Sequence, residues 1–421
     1  MPSKLFSLLA VIALGSPTQA ENWPAFRGPT GMGQSTEKNL PTTWGGKGND
    51  NILWKAPLPH TEAKLKSDNN QSSPIVWDGK IFVTSSHWPA DKTQKEYPEH
   101  HVLGFDSTGK KIWDQTVEPG PWLLTDLRGG YTAPTPVTDG KRVIVIFGSG
   151  VVASFDLDGK LLWRKEIPEP KKFDVAMGMS PLLHDDSVLI LCDKTSKASH
   201  LLALDAKTGD VKWDEKRPMV QFSHTTPVLA QVNGKPQLLI GAGGALQGVD
   251  PGNGKLLWWV ANDGDVPCPI LSGGLVYCDS GRGGGFGIAV DPTGMGDVTK
   301  TNIRWKTDKK IGGLGSPIVV GDQLFRLRDP GLLTAWKMSN GEQVSEERVQ
   351  GVSTTASPFA TADGKIYFAS AGRSIVVQPG AKAEILATNE LGEDNGSSAA
   401  VSGGRIYIKG RNHLFAIGKK E

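Results

Sequence analysis

The sequence predicts an all-β protein, an eight-bladed β-propeller of four-stranded antiparallel blades closed by an N-terminal strand. Three observations support this fold class. A short unit recurs eight times, at intervals of roughly forty to fifty residues after a longer first interval. Within each unit, apolar runs are joined by turn-forming dipeptides such as Asp-Gly, Asn-Gly and Gly-Gly. The last copy also lacks one strand, and a segment near the other end of the chain can supply it.

The first half of each unit is a small residue and, in most copies, a proline, followed by two short apolar runs with a turn between them. Proline suits the opening of the first strand, because its missing N–H does least harm to the ladder there. We therefore assign the two innermost strands of a blade to this half. The eight copies begin at Ser72, Pro134, Met179, Thr225, Pro267, Gly315, Ala356 and Ser397.

The second half follows the pattern Asp-x-x-Gly-Lys-x-x-Trp, as in "VASFDLDGKLLW". Its aspartate can bond the following backbone N–H groups and its glycine can adopt the left-handed conformation, so we interpret the acidic loop as a turn rather than a calcium site. The tryptophan recurs at one place in the unit, which favours packing between neighbouring blades over a ligand platform. The predicted blade-docking residues are Trp54, Trp113, Trp163, Trp213, Trp258 and Trp305.

The ends of the chain predict how the ring closes. The last copy ends in "HLFAIGKKE", before any strand with the tryptophan. The segment "NILWKAP", at 51–57, resembles that missing strand, and pairing the two would leave no open sheet edge. We therefore predict a propeller over residues 51–421, preceded by an extended segment at 21–50 and a signal peptide at 1–20.

The N-terminus has the pattern of a secretory signal. Lys4 precedes the apolar run "LFSLLAVIALG", and "TQA" forms a small-residue cleavage site ending at Ala20. No later stretch is apolar enough to span a bilayer, and no cysteine follows the cut to carry a lipid anchor. We expect a soluble, exported monomer in the periplasm or outside the cell. A formal charge of +2 gives no reason to expect a nucleic-acid partner.

The three cysteines are too few for a disulfide scaffold. Cys268 and Cys278 flank a predicted hairpin. A three-residue turn centred on Gly273 would place them opposite each other, whereas a two-residue turn at Gly273 and Gly274 would put them on opposite faces. The repeat alignment favours the second arrangement and two free thiols.

The segment "ALDAKTGDVKW" resembles the tryptophan-docking motif of the pyrroloquinoline-quinone-like β-propellers. That superfamily includes quinoprotein alcohol dehydrogenases and the outer-membrane assembly factor BamB. The resemblance covers about residues 51–418 and implies the fold, while the fold alone does not fix an activity. It also implies partner binding for a BamB-like member, or a quinone held by calcium for an enzyme.

The enzyme branch of this family commonly has an adjacent cysteine pair beside its quinone, and calcium ligands of the glutamate, asparagine and aspartate types. The present chain has no adjacent cysteines, no C-x-x-C-H haem motif and no motif onto which those ligands map. We therefore expect no cofactor and no metal site. Pyrroloquinoline quinone with calcium remains the alternative.

Candidate binding residues lie where each blade's first strand begins, because loops on a rigid scaffold commonly carry binding. Arg128 or His224 could meet an anionic ligand there. His100 and His101 lie in a longer first-blade insertion, together with Trp88, Tyr97 and Glu99. We predict that this insertion is a lid, a contact loop or a solvated excursion, with a metal site as the less favoured alternative. The channel-mouth candidates are Arg128, His224, Asp263, Asp265, Asp394 and Asn395, together with Asn70, Gln71 and Tyr131.

Three functions remain open at this point. The first is an exported, non-catalytic scaffold, related to BamB, that binds a protein or glycan of the cell envelope and has an exposed apolar patch on one face. The second is a quinone-dependent alcohol or sugar dehydrogenase, with a carboxylate cluster in the channel. The third is a carbohydrate-binding propeller with aromatic platforms.

Overall fold

Eight four-stranded antiparallel sheets are arranged around a central axis, which confirms the predicted eight-bladed propeller. The computed structural model describes residues 20–90, 97–124, 127–167, 172–173, 178–193, 199–394 and 396–420. The predicted signal peptide therefore lies outside the described residues except for Ala20. Among the described residues, no helix is long and apolar enough to cross a bilayer.

The strands and the single short helix of the described residues have the following bounds. In chain order they are β1 (Ile52–Pro57), α1 (Pro59–Ala63), β2 (Lys66–Ser67), β3 (Ile75–Trp77), β4 (Lys80–Trp88), β5 (Glu99–Phe105), β6 (Lys111–Val117), β7 (Leu123–Leu124), β8 (Val137–Thr138), β9 (Arg142–Phe147), β10 (Val151–Asp156), β11 (Leu161–Glu166), β12 (Lys172–Phe173), β13 (Leu182–His184), β14 (Ser187–Cys192), β15 (His200–Asp205), β16 (Val211–Lys216), β17 (Val228–Val232), β18 (Lys235–Ala242), β19 (Ala245–Val249), β20 (Leu256–Ala261), β21 (Ile270–Ser272), β22 (Leu275–Cys278), β23 (Arg282–Val290), β24 (Gly296–Asp297), β25 (Ile303–Gly312), β26 (Ile318–Val320), β27 (Gln323–Arg328), β28 (Leu332–Lys337), β29 (Gln343–Arg348), β30 (Phe359–Ala360), β31 (Ile366–Phe368), β32 (Arg373–Gln378), β33 (Glu384–Glu390), β34 (Ala400–Ser402), β35 (Arg405–Lys409) and β36 (His413–Ile417).

Each blade uses four of these strands in sequence, from the axis outward. Blade 1 is β3 to β6, with β2 added beside β4. Blades 2, 3 and 4 are β8 to β11, β13 to β16 and β17 to β20. Blade 5 is β21, β22, β23 and β25; blades 6 and 7 are β26 to β29 and β30 to β33. Blade 8 combines β34, β35 and β36 with β1.

Tight turns join the inner strands as their dipeptides predict. In blade 5, Ser272 pairs with Leu275, so the hairpin loop is the two-residue Gly273-Gly274 turn. Both glycines have positive φ, 56° and 78°, which two-residue turns of this type require. Cys268 and Cys278 are buried, free thiols.

The ring closes through the N-terminal strand. β1 pairs antiparallel with β36, with Trp54 opposite Ala416 and Ala56 opposite Leu414. Immediately beyond β1, the Leu58 N–H donates to Asn412 O at 2.8 Å. The predicted completion of the last blade by the front of the chain is therefore confirmed, and β36 has no free edge.

Four of the six predicted docking tryptophans pack in one way. Trp163 of blade 2 lies under the turn glycine of blade 3, where a Cβ on Gly209 would come within 2.7 Å of the indole. Its Nε1 donates to Ala206 O of that turn at 3.1 Å. The same indole-to-turn bond links Trp54 to Ser107, Trp113 to Leu157 and Trp305 to Met338. Each tryptophan therefore connects its blade to the next one.

Trp213 also packs on a turn glycine, whereas Trp258 departs from the pattern. A Cβ on Gly254 would lie 2.6 Å from Trp213. Trp258 is fully buried and donates to Gln237 Oε1 of its own blade at 2.8 Å. The reason is the longer turn of blade 5, whose strand β24 pairs in parallel with β20 opposite Trp258. This added strand occupies the position that a docking turn takes elsewhere.

The glycine under a docking tryptophan should tolerate alanine poorly. Gly341 has φ +76° and a Cβ there would come within 2.6 Å of Trp305. We expect Gly341→Ala to cost about 1–2 kcal/mol for the left-handed backbone plus about 1–3 kcal/mol for the clash, measured by thermal or urea unfolding. Gly364→Ala is the matched control, because its φ is +81° but nothing lies within 4 Å. Equal losses in both variants would show that the indole contact contributes nothing.

The segment predicted as extended, residues 21–50, crosses one face of the ring. Trp23 N–H donates to Val76 O at 2.8 Å, on the inner strand of blade 1. Further along, the Glu37 carboxylate accepts the Gly403 N–H at 2.6 Å, at the inner turn of blade 8. Trp23, Leu40 and Trp44 are buried under 5% exposed. We call this the crossing segment and the face that it covers the closed face.

Candidate functional site

The main cavity lies on the axis, among the residues that lead into the innermost strands. Its volume is about 380 Å³. Phe26 of the crossing segment lines it, so the cavity has a floor at the closed face and opens toward the opposite face. We call that opposite face the open face; there, each blade's outer strand connects to the next blade's inner strand.

A ring of small side chains, one from each blade, surrounds the middle of the cavity. Each blade's ring residue has a backbone N–H that donates to the ring side chain of the next blade. Seven of these bonds end on hydroxyl oxygens, at 2.8–3.0 Å. At the remaining junction the Thr226 N–H bonds to the Cys268 thiol. The ring consists of Ser73, Thr135, Ser180, Thr226, Cys268, Ser316, Ser357 and Ser398.

This ring corresponds to one position of the sequence repeat, which the sequence analysis does not single out as functional. Its members occupy the second position of each repeat, which is Ser, Thr or Cys in all eight copies. A residue type that stays small and hydrogen-bonding through every copy indicates a shared backbone partner. The hydroxyl oxygens are therefore engaged as acceptors, while their O–H groups can donate to a ligand in the cavity.

The floor of the cavity carries a buried cation. Arg27 is 2% exposed, and its Nη2 donates to Pro317 O at 2.5 Å and to Met32 O at 2.9 Å. Burial lowers the pKa of Arg27 to about 10, and the nearby Cys268 thiol opposes that shift. Burial likewise raises the pKa of Cys268. The floor is thus positively charged at neutral pH and the thiol is protonated.

At the mouth, the structure brings together two of the predicted candidates. Arg128 and His224 both line the cavity, Arg128 with an exposed side chain and His224 half-buried. Their backbones are held in place, since Arg128 O accepts the Asn69 side-chain amide at 3.1 Å and the His224 N–H donates to Asp265 O at 2.7 Å. The mouth therefore offers cationic or hydrogen-bonding groups to a ligand.

Gln71 also lines this cavity, whereas Asp263, Asp265 and Asp394 do not. The Asp263 carboxylate accepts the Gly244 N–H at 3.2 Å, beside the mouth, and Asp265 contributes its backbone oxygen to His224. Asp394 lines a second, smaller pocket, and Asn395 lies outside the described residues. Gln71 lines both pockets.

Two further candidates are buried. Asn70 lines the second pocket but is 4% exposed, and it accepts the Ser86 N–H at 2.6 Å and the Thr132 hydroxyl at 2.6 Å. Tyr131 is 1% exposed and packs in the core between blades. Both were expected at the mouth because they precede first strands. In the structure, the segments that lead into these strands pack against neighbouring blades. The position of a residue in the sequence alone does not indicate such packing.

The second pocket adjoins the mouth and is polar. It has a volume of about 200 Å³ and shares Gln71, Thr355 and Gly396 with the main cavity. Asp68, Asp394 and Arg411 contribute charged groups. Burial raises the pKa of Asp68, although its carboxylate accepts the Tyr131 N–H at 2.6 Å. The carboxylates of this second pocket thus lie off the axis, toward blades 1 and 8.

The described residues of the main cavity do not fit a calcium-bound quinone. Its lining contains no aspartate or glutamate among the residues that the structure describes, and calcium needs several oxygen ligands with carboxylates among them. Among the described lining residues, Phe26 is the one phenylalanine, tyrosine or tryptophan. The second pocket has carboxylates, but Asp68 already accepts hydrogen bonds from Tyr131 and Ser86.

The pair His100 and His101 lies in strand β5, not in the insertion to which the sequence assigned it. The connection between β4 and β5 spans residues 89–98, and only part of it is described. His100 is buried, stacks on Phe147 at 4.5 Å and pairs through Nε2 with Ser149 Oγ at 2.9 Å. Burial lowers its pKa to about 3, so it is neutral at physiological pH.

Three exposed apolar side chains lie in the connections at the open face. Leu127, Met219 and Leu314 are 40%, 44% and 40% exposed. Each belongs to a segment that joins one blade's outer strand to the next blade's inner strand. Leu314 lines the cavity and Leu127 precedes Arg128. The open face therefore combines exposed apolar groups with a basic, hydroxyl-lined opening.

Fold and site together define an eight-bladed propeller with an axial cavity open on one face. The chain belongs to the family described as outer membrane protein assembly factor BamB, whose model matches residues 98–347. This confirms the resemblance seen in the repeat. A search of curated protein sequences finds no match.

Solved structures share the fold at low sequence identity. BamB from Moraxella catarrhalis is 14% identical, covers 87% of this chain and 99% of its own, and has a TM-score of 0.58. The computationally designed Ika8 protein is 12% identical over 84% of this chain and 98% of its own, with a TM-score of 0.55. A quinohemoprotein alcohol dehydrogenase from Comamonas testosteroni is 14% identical over 95% of this chain and 81% of its own, with a TM-score of 0.45.

Proposed function

We propose that the chain is an exported, non-catalytic propeller that binds a protein of the cell envelope at its open face. The observation that carries this proposal is the set Leu127, Met219 and Leu314 on the face where the cavity opens, with Leu314 in the cavity lining. Exposed apolar groups beside polar ones are typical of protein-binding surfaces. Membership of the BamB family supports a role in binding proteins.

The partner segment that suits this face is apolar with an acidic group. Its apolar side chains would contact Leu314 and Leu127, and a carboxylate would meet Arg128. The hydroxyl ring below would donate hydrogen bonds to backbone or side-chain oxygens that enter the cavity. A glycan is less suited, because Phe26 is the single aromatic platform among the described lining residues.

Site-specific cross-linking in cells tests the proposal. A photo-reactive phenylalanine analogue at Leu314 or Met219 should give discrete protein adducts on irradiation. The matched control is the same analogue at Met295, which is 82% exposed and lies in a blade 5 turn on the closed face. Adducts that are absent at the open face, or equally abundant at Met295, would contradict the proposal.

A cofactor assay separates this function from the dehydrogenase alternative. Purified protein mixed with pyrroloquinoline quinone and calcium should show no stoichiometric quinone uptake, because the described cavity lining contains no carboxylate. It should also give no dye reduction with alcohols or sugars. Tight uptake with turnover would overturn the proposed function.

A further inference from the structure

Blade 1 brings two histidines and a glutamate to one face of its sheet. Strands β4 and β5 pair with His87 opposite Glu99 and Ser85 opposite His101. Because side chains alternate along a strand, these partners and their next-but-one neighbours share a face. His87 Nε2 lies 3.4 Å from Glu99 Oε2, and His101 Nε2 lies 3.9 Å from the same oxygen.

A fourth residue, Asp114, orients His101. The Nδ1 of His101 pairs with Asp114 Oδ1 at 2.8 Å, which directs the Nε2 of His101 toward Glu99. His101 is 8% exposed and His87 4%, and His101 Nε2 has no hydrogen-bond partner among the described residues. Histidines that ligate metals commonly have their other ring nitrogen bonded to a carboxylate in this way.

Other blades contain the same histidine–carboxylate pair without the rest of the cluster. His200 begins the third strand of blade 3 and pairs through Nδ1 with Asp214 at 2.5 Å, and His413 pairs with Glu393 in blade 8. These pairs are a recurring feature of the repeat. Among the described residues, blade 1 is the one place where three metal-ligating side chains converge, with ligand atoms within 4.8 Å of one another.

We propose that His87, Glu99 and His101 bind one divalent transition-metal ion of the zinc type. Two imidazoles and one carboxylate suit Zn²⁺, Co²⁺, Ni²⁺ or Cu²⁺, whereas Ca²⁺ and Mg²⁺ prefer oxygen ligands. Tetrahedral zinc sites place ligand atoms roughly 3.4 Å apart, given metal–ligand distances of about 2.1 Å. The present separations therefore need only a small inward movement of the side chains.

The surroundings favour such an ion. Both imidazoles are buried in the packed sheet, and His87 Nε2 faces the Glu99 carboxylate. Glu99 is 37% exposed, which leaves a route from solvent and a fourth position for water. The sequence analysis does not favour a metal site here. A connecting loop separates His87 from Glu99, and its path, which brings the two side chains together, cannot be predicted from the sequence.

Metal titration of the untagged, full-length protein tests the proposal. Co²⁺ should give the visible absorption of a tetrahedral complex at one equivalent, and Zn²⁺ should displace it in calorimetric competition. We expect His87→Gln and Glu99→Gln to weaken Zn²⁺ binding more than about 100-fold, and Asp114→Asn by about 10–100-fold as an outer-shell change. Ca²⁺ should not compete.

His200→Gln is the matched control, because it removes an equivalent histidine–carboxylate pair that has no converging ligands. It should leave the affinity unchanged. Binding that is absent from the native protein, unaffected by Glu99→Gln, or weakened equally by His200→Gln would overturn the proposal. Glu99 is partly exposed, so Glu99→Gln should fold normally; unchanged circular dichroism and an unchanged unfolding midpoint would verify this.

Discussion

Replacing Asp279 by alanine should lower the free energy of unfolding by about 3–5 kcal/mol, because it leaves a buried guanidinium without its counter-charge. Asp279 and Arg326 are 0% and 1% exposed and form two hydrogen bonds, at 2.7 and 2.8 Å. Arg326 also donates to Gly313 O at 2.7 Å and to Gly315 O. The pair therefore links blade 5 to blade 6, and urea unfolding should show an earlier midpoint.

Two further variants separate the buried charge from loss of packing. The double replacement Asp279→Leu with Arg326→Met removes both charges, and it should recover most of the loss. Asp158→Ala breaks the surface pair with Lys80, whose atoms are 2.7 Å apart and whose Asp158 side chain is 85% exposed, so it should cost about 1 kcal/mol or less. An Asp279→Ala loss as small as that of Asp158→Ala would contradict our account of this pair.

Removing the closing strand should have a comparable effect. A chain that begins at Leu58 lacks β1 and the crossing segment, so β36 has a free edge and the closed face is uncovered. We expect poor solubility and a lowered unfolding midpoint, because an exposed strand edge promotes association. Circular dichroism melts and light scattering measure the two effects.

A second variant isolates the strand from the crossing segment. It also begins at Leu58 but carries residues 52–57 after Ile417, joined by the blade 2 turn, residues 156–160. β1 contributes buried Ala56 and the partly buried Ile52, Leu53 and Trp54. Restoring it should return about 4 kcal/mol of stability and raise the midpoint by about 5 °C. No difference between the two shortened chains would mean that pairing with β36 does not close the ring.

The fold could be predicted because the same structural residues recur in most copies of the repeat. Turn glycines, inner-strand prolines and docking tryptophans each recur with a fixed spacing, so errors in one copy are corrected by the others. Where a copy departs, the prediction weakens. Trp258 was expected to dock like its relatives, but the longer turn after Val290 adds β24 at that position.

The candidate site was predictable only in part. Arg128 and His224 line the axial cavity, because every blade directs the start of its first strand there. A role for them in binding stays a prediction. Asp263 and Asp265 lie in an irregular connection between β20 and β21. The repeat pattern does not predict the direction of that connection. Arg27 was missed altogether, because the crossing segment lies outside the repeat and its route depends on contacts with five different blades.

The ring of small side chains has an electrostatic consequence. Every N–H in it points along the circumference, from one blade to the next, so the eight bond dipoles follow one another around a circle. Vectors arranged head to tail on a closed loop sum to nothing along the axis. These eight backbone N–H groups thus exert no net axial pull on an ion moving inward, and the full charges that act on it are those of Arg128 at the entrance and Arg27 at the base.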